Sequence, residues 1–214
     1  MKKLFLGLGL VAGTFAFAQT GTTFGVKGGM NVSSLSKDAS LSDQKSKIGF
    51  NAGAFVNIPI ASQFSIQPEL IYTQYGAKAD YRQDVLTTGG IEEQRFSSAT
   101  HLDYIALPVM FQYNATPGFY LEAGPEFGLS VSAKNKVKNE TTGETLAESD
   151  NFKDDINGFN VGIGLGAGYY FTPQFGITAR YVAGLTDIAK DRPSGSDAVR
   201  NNTFQVGLAY KFGN

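Results

Sequence analysis

Residues 203–212 read TFQVGLAYKF, and this stretch decides the fold. Every second side chain from Phe204 to Phe212 is apolar, and the side chains of the other face are polar or small. Strict alternation of this kind is typical of a β-strand with one apolar face. About ten residues are enough for a tilted strand to cross a bilayer. The stretch therefore predicts a membrane-spanning strand.

The same alternation recurs seven times upstream. In the segment before the last, Phe175, Ile177 and Tyr181 alternate with Thr178 and Arg180. The seven further predicted strands cover residues 23–33, 48–58, 63–78, 100–113, 118–133, 157–171 and 174–186.

The predicted connections alternate in length. Short ones fall at residues 59–62, 114–117 and 172–173, and long ones at 34–47, 80–99, 134–156 and 187–199. Short periplasmic turns and long extracellular loops are the pattern of outer-membrane barrels. We therefore predict an all-β protein, an eight-stranded antiparallel transmembrane up-and-down β-barrel, with both chain ends in the periplasm.

Aromatic residues form two sets along the predicted strands. One set, including Phe64 and Phe175, adjoins the short turns, and the other, including Tyr72 and Phe204, lies toward the opposite strand ends. Two aromatic belts are expected where rings sit among lipid headgroups. The alternative is an exported soluble barrel of lipocalin type, which would turn its apolar face inward.

The N-terminus has the features of an export signal. Lys2 and Lys3 precede an apolar run from Leu4 to Phe17, and residues 16–18 read AFA, a small-x-small cleavage site. The apolar run is too short to span about 30 Å of hydrocarbon. We expect residues 1–18 to be a signal peptide and residues 19–214 the barrel domain, in the cell outer membrane of a Gram-negative bacterium.

Composition excludes several classes of protein. The chain has no cysteine, so it has neither structural disulfides nor a lipidated N-terminal cysteine. Its formal net charge is −1, and loss of Lys2 and Lys3 with the signal lowers it by two, to −3. Without a basic excess, nucleic acid is not an expected partner.

Three stretches carry a family resemblance. The first strand of the PorT-like outer-membrane barrels resembles residues 24–35, FGVKGGMNVSSL. The fourth strand of that family resembles residues 102–113, with Pro108, and the start of its fifth strand resembles residues 120–125. The resemblance covers nearly the whole mature chain and implies one small, OmpA-like eight-stranded barrel. It implies no activity, because fold does not fix function.

Two motifs that suggest chemistry have simpler structural explanations. Glycines 162, 164, 166 and 168 recur with a period of two, unlike a nucleotide-binding loop, so they line one face of a strand. Glu122 and Glu126 lie about 13 Å apart along a strand, beyond the roughly 5–9.5 Å of glycosidase carboxylate pairs.

His101 is the only histidine, with Asp103, Ser97 and Ser98 nearby in sequence. A His–Asp pair at the outer rim of a barrel could be part of a catalytic site. A hydrated rim histidine is the simpler interpretation. We predict no catalytic residue, no cofactor and no metal site.

Charged residues on the predicted inward faces fall on opposite walls. The basic residues come from the first, seventh and eighth predicted strands, and the acidic residues come from the third and fifth. Buried charges must pair. We therefore predict a lumen ion network of Lys27, Glu69, Glu122, Glu126, Arg180 and Lys211.

The function predicted from these features is non-enzymatic. The barrel would have a structural or surface-interaction role through its long extracellular loops, with its lumen plugged by the ion network. The alternative is a narrow porin-like channel for small solutes. Expected partners are outer-membrane lipid, the barrel-assembly machinery during insertion, and an unknown extracellular or secretion partner.

The AFA site predicts cleavage after Ala18. Intact-mass measurement of protein extracted from outer membranes should give Gln19, or its cyclised form, as the first residue. A mass that still includes residues 1–18 would contradict the signal peptide.

Overall fold

The computed structural model describes residues 21–36, 44–87, 89–149, 151–153, 156–190 and 197–213. The predicted signal peptide lies outside these residues. The strands are β1 (Thr23–Leu35), β2 (Gln44–Ala61), β3 (Phe64–Thr87), β4 (Gly90–Asn114), β5 (Phe119–Asn139), β6 (Thr145–Glu148), β7 (Phe159–Tyr170), β8 (Phe175–Gly184) and β9 (Asn201–Phe212). In the part of the chain so described, no helix is long and apolar enough to cross a membrane.

Eight of these strands close into a ring. The hydrogen-bonded order is β4-β3-β2-β1-β9-β8-β7-β5, and β4 pairs with β5 to complete the circle. Every pairing is antiparallel, and β6 adds only to the outer end of β5. The predicted up-and-down barrel is confirmed, with β6 as an additional strand outside the ring.

The outward face of the barrel is apolar and exposed. Leu208 is 61% exposed, although it lies in the middle of a strand. Exposing apolar surface to water costs about 25 cal/mol per Å², and contact with lipid carries no such cost. Other exposed residues of this face are Val26, Met30, Phe50, Phe64, Leu70, Ile105, Leu107, Phe111, Leu121, Phe127, Leu129, Phe159, Ile163, Leu165, Ile177, Tyr181, Phe204 and Val206.

The inward face is polar and buried, as the predicted alternation requires. Glu69 and Arg180 are each 2% exposed. Its other buried polar residues include Lys27, Asn31, Asn51, Asn57, Ser65, Gln67, Thr73, Gln112, Glu122, Glu126, Thr178, Thr203 and Gln205. This is the reverse of a lipocalin-type barrel, so the soluble alternative is wrong.

Two predicted long loops are instead built largely of strand. Residues 80–99, predicted as a loop, form a hairpin in which β3 and β4 stay paired from Asp80–Ser97 up to Thr87–Gly90. Within residues 134–156, β5 continues to Asn139 and β6 folds back along it. A ribbon surrounded by water needs no apolar face, so it lacks the alternation that revealed the spanning strands.

The extended strands make one side of the barrel much taller. We call the part of β3, β4 and β5 beyond the apolar band, together with β6, the extracellular wall. The strands β7, β8 and β9 on the other side have only 12, 10 and 12 residues. At about 3.3 Å per residue, the 24 and 25 residues of β3 and β4 are about twice as long as a bilayer crossing requires.

The facing of Leu208 gives a direct test. It lies midway between Phe204 and Phe212, and an arginine at such a midplane position should cost about 2–4 kcal/mol. Leu208→Arg should therefore reduce the yield of folded barrel in a heat-modifiability gel. Leu86→Arg makes the same substitution at the hairpin end, where the side chain is 80% exposed, and should fold normally. Equal folding of both variants would mean that Leu208 does not contact lipid.

Candidate functional site: the charged lumen

The six predicted lumen residues point inward from five different strands. Arg180 lies on β8 and Glu69 on β3, which are four strands apart in a ring of eight and therefore on opposite walls. Glu122 and Glu126 lie on β5, and Lys27 lies on β1. Because the ring is narrow, a long side chain from one wall can reach the other.

Arg180 joins the two walls. Its Nη1 donates to Glu69 Oε2 at 2.9 Å and its Nη2 to Glu69 Oε1 at 2.7 Å, a bidentate contact. Its Nε donates to Glu122 Oε1 at 2.7 Å. Planar guanidinium and carboxylate groups suit this parallel pairing. One cation therefore links β8 to β3 and β5.

Lys27 completes a neutral group of four charges. Its Nζ lies 3.1 Å from both carboxylate oxygens of Glu69. Two cations, Lys27 and Arg180, thus face two anions, Glu69 and Glu122. We call these four residues the charge quartet. Mutual neutralisation is what makes burial of the four charges tolerable.

Side-chain amides also donate to the carboxylates of the quartet. Gln67 Nε2 donates to Glu69 Oε1 at 2.8 Å, and Gln112 Nε2 donates to Glu122 Oε2 at 3.0 Å. Gln112 Oε1 accepts in turn from Asn57 Nδ2 at 2.7 Å. The quartet is therefore embedded in a layer of hydrogen-bonded side chains.

Glu126 and Lys211 make contacts other than those predicted. Glu126 accepts a hydrogen bond from the Tyr75 hydroxyl and forms no ion pair within the described ranges. Lys211 Nζ lies 3.9 Å from the centre of the Tyr170 ring, a cation–π contact. Arg180 pairs with Gln205 across the sheet, so Lys211 is six residues, about 20 Å, farther along β9. That distance keeps Lys211 out of the quartet.

An apolar cluster fills the lumen on the extracellular side of the quartet. Its buried members, which we call the apolar cap, are Tyr75, Leu102, Tyr104, Ala133 and Ile188. Leu35, Phe152, Ile156 and Val199 pack against them. Sequence reasoning missed this cluster. The inward parity of Leu102 and Tyr104 was a usable signal, but Ile188 comes from a connecting segment with no periodicity.

The glycines of β7 make room for large inward side chains. A Cβ on Gly168 would lie 2.3 Å from the Tyr120 ring, and a Cβ on Gly166 would lie 2.9 Å from Glu122 Oε1. The period-two glycine pattern therefore reflects packing of the lumen. No helix follows β7 directly, so the strand–turn–helix context of a nucleotide-binding loop is absent from the described chain.

The rim residues around His101 do not assemble a catalytic triad within the described chain. The Ser97 hydroxyl donates to Glu140 at 2.7 Å instead of to His101. Ser98 has the opposite strand parity from His101 and so lies on the other face of β4. The described ranges also hold no group of acidic and histidine residues that could bind a metal ion.

Three solved outer-membrane proteins are among the structures to which this chain is similar. The attachment invasion locus protein Ail of Yersinia pestis is 16% identical, with a TM-score of 0.45 over 89% of this chain and 99% of the other. Neisserial surface protein A is 14% identical, with a TM-score of 0.47 over 90% and 99%. OprG of Pseudomonas aeruginosa is 13% identical, with a TM-score of 0.37 over 90% and 96%.

No curated protein matches the sequence. The sequence model of the outer membrane protein beta-barrel domain, however, matches residues 17–190. These residues include β1 to β8. Together with the closed ring and its apolar outer face, this match shows that the chain belongs to the outer membrane protein beta-barrel domain family.

Proposed function

We propose that this protein is a closed, non-enzymatic outer-membrane barrel whose role lies in its extracellular wall. The observation that carries the proposal is the double filling of the lumen by the charge quartet and the apolar cap. Eight strands leave an interior just wide enough for side chains to fill. A solute would have to displace both fillings, which follow one another along the barrel axis.

The energetics of the quartet support its role as a permanent plug. Removal of Arg180 alone would leave Glu69 and Glu122 facing only Lys27. An uncompensated buried charge of this kind costs about 3–5 kcal/mol. The apolar cap adds a second layer, in which Leu102, Ala133 and Ile188 offer an ion no polar side-chain group. Closure of this kind favours a structural or surface-interaction role over passage of solutes.

Sequence motifs support further proposals about the subgroup, export and insertion of the protein. Resemblance in residues 24–35, 102–113 and 120–125 supports membership of the PorT-like group. The AFA motif supports export by a cleavable signal. We therefore also infer insertion by the barrel-assembly machinery. The extracellular wall offers the surface for an external or secretion partner.

Loss of Arg180 should destabilise the folded barrel. Arg180→Ala should lower the temperature at which the compact band disappears in a heat-modifiability gel, because it strands buried carboxylates. Arg82→Ala is the matched control, since it removes an arginine from an exposed pair with Glu93 at 3.0 Å. Exposed pairs contribute about 0–1 kcal/mol. Equal transition temperatures for the two variants would contradict a tightly paired quartet.

Two fillings in series give a specific conductance pattern. The wild-type protein should show no discrete openings in planar bilayers. Arg180→Ala and Leu102→Ala should each change this little, because the other filling remains. The double variant should open, provided that its compact gel band shows it to be folded. Steady wild-type currents would overturn closure and support the narrow solute channel instead.

A further inference from the structure

Charge is segregated between the two faces of the extracellular wall. The highest apolar row of the outward face, where β3, β4 and β5 meet, is Tyr72–Ile105–Leu129. Above that row the same face, together with the adjoining strand β2, carries five lysines, which we call the lysine row: Lys45 on β2, Lys78 on β3, and Lys134, Lys136 and Lys138 on β5. The inner face of the same strands carries uncharged residues at the paired positions Ala77–Thr100, Ala79–Ser98 and Tyr81–Phe96.

Strand register shows that the lysines share one face. Lys45 pairs with Lys78, Lys78 with Ala99, and Ala99 with Lys136. One level below, His101 pairs with Lys134, and one level above, Ser97 pairs with Lys138. Ala133, next to Lys134, is fully buried in the lumen, which directs Lys134 outward.

The height of the lysine row places it next to the lipid headgroups. His101 and Ala99 lie four and six residues above Ile105, which is about 13–20 Å along the strand. A strand tilt of about 45° reduces this to about 9–14 Å above the apolar band. Flexible lysine side chains can extend their ammonium groups down toward the membrane surface.

The lysine row has more cations than its carboxylates can neutralise. Asp80 contacts Lys45 at 2.8 Å and Lys78 at 3.4 Å. Glu140 contacts Lys78 at 3.4 Å and Lys138 at 3.7 Å. Glu148 contacts Lys134 at 3.5 Å and Lys136 at 3.9 Å. Three carboxylates are therefore shared among five ammonium groups, an excess of two positive charges.

Two carboxylates of this surface, Asp80 and Glu140, stay ionised at neutral pH. A hydrogen bond from Lys45 is the largest effect that lowers the pKa of Asp80 below its ordinary value. The Ser97 hydroxyl, followed by Lys78, lowers the pKa of Glu140. The charge balance of the row therefore holds under physiological conditions.

A concave site extends the lysine row upward. A cavity of about 420 Å³ is lined by Lys45, Lys78, Asp80, Arg82, Arg95 and Glu140 among other residues. It thus has four basic and two acidic side chains. Arg95 has no ion pair in the part of the chain that the structure describes.

Like charges face one another twice in this cavity. Lys45 is the cross-strand partner of Lys78, and Arg82 is the cross-strand partner of Arg95. Like charges directly opposite on one face of a sheet are destabilising. Asp80 already offsets the first pair, and Glu93 contacts Arg82 of the second, so among the described residues Arg95 is left to attract an added anion. The surface is therefore arranged for a negatively charged ligand.

We propose that the lysine row and its cavity bind the phosphate groups of the phosphorylated glycolipid in the outer leaflet. The occupant follows from position, because the cations lie on the face that is continuous with the lipid-contacting band. Basic residues near an anionic membrane surface each strengthen attachment. The inference rests on placement of the barrel in the outer membrane but not on closure of its lumen.

The test measures glycolipid binding to the folded, full-length protein in detergent. The probe is purified lipopolysaccharide, and the variant combines Lys78→Gln, Arg95→Gln and Lys136→Gln. Its affinity should fall at least tenfold. The control combines Lys153→Gln, Lys190→Gln and Arg200→Gln, which removes the same charge from other extracellular segments. The control should bind like the wild type.

Two further measurements separate the glycolipid from other anions and from a purely structural salt-bridge cluster. Enzymatically dephosphorylated lipopolysaccharide should bind the wild type at least tenfold more weakly. Asp80→Asn should tighten binding, because it frees Lys45 and Lys78, whereas a structural cluster would only lose stability. Inorganic phosphate at millimolar concentration should not compete, since it lacks the multiple phosphates and acyl chains of the lipid.

Several results would overturn the proposal. These are equal affinities for the two triple variants, equal binding of the dephosphorylated lipid, and competition by inorganic phosphate, which would indicate a site for the free ion. If the triple variant does not give a compact gel band, the lipopolysaccharide affinities of the single variants Arg95→Gln and Arg200→Gln are compared instead. Equal affinities would then overturn the proposal. Conductance of the same variants reports separately on the closed lumen.

Discussion

The bidentate contact between Arg180 and Glu69 is the interaction on which the rest of the lumen depends. It joins β8 to β3 across the full width of the ring at distances of 2.7 and 2.9 Å. A charge enclosed by a protein wall within hydrocarbon has little water to solvate it, so each charge must be met by its opposite. Glu122 and Lys27 satisfy that requirement. The same constraint explains Gly166, the cross-strand neighbour of both Glu122 and Arg180, because a Cβ there would lie 2.9 Å from Glu122 Oε1.

The sequence was most informative where the two faces of a strand meet different surroundings. Leu208 and Arg180 could be assigned to lipid and lumen because lipid accepts only apolar side chains, which imposes a period of two. The opposite walls of Arg180 and Glu69 also followed from strand order. Their pairing geometry did not, because a distance across the ring depends on tilt and shear, which alternation does not encode. Lys211 was assigned to the network on its facing alone, although its depth along β9 brings it to Tyr170.

Regions with the same surroundings on both faces were not predictable in this way. Residues 80–99 have no single apolar face, because Tyr81 and Phe96 lie on one face and Leu86 and Ile91 on the other. Their pairing depends on backbone hydrogen bonds between β3 and β4, which are largely independent of sequence. The apolar cap was hidden for a different reason. Its member Ile188 lies outside the strands and meets Leu102 and Tyr104 only in the folded chain. Periodicity reports which face a residue occupies, but it does not report which distant residue shares its space.

The inward-facing charge quartet and the outward-facing charges of the wall both follow from the change of surroundings, from lipid to water, along the same strands. Within the bilayer, polar groups can lie only inside the ring, so Lys27 and Arg180 point inward and neutralise Glu69 and Glu122. Above the bilayer that restriction ends, and Lys78 and Lys136 lie on the outward face that Ile105 occupies lower down. The outward face thus passes from apolar to basic as it leaves the hydrocarbon. One face of the same strands therefore contacts lipid at one height and water at the next.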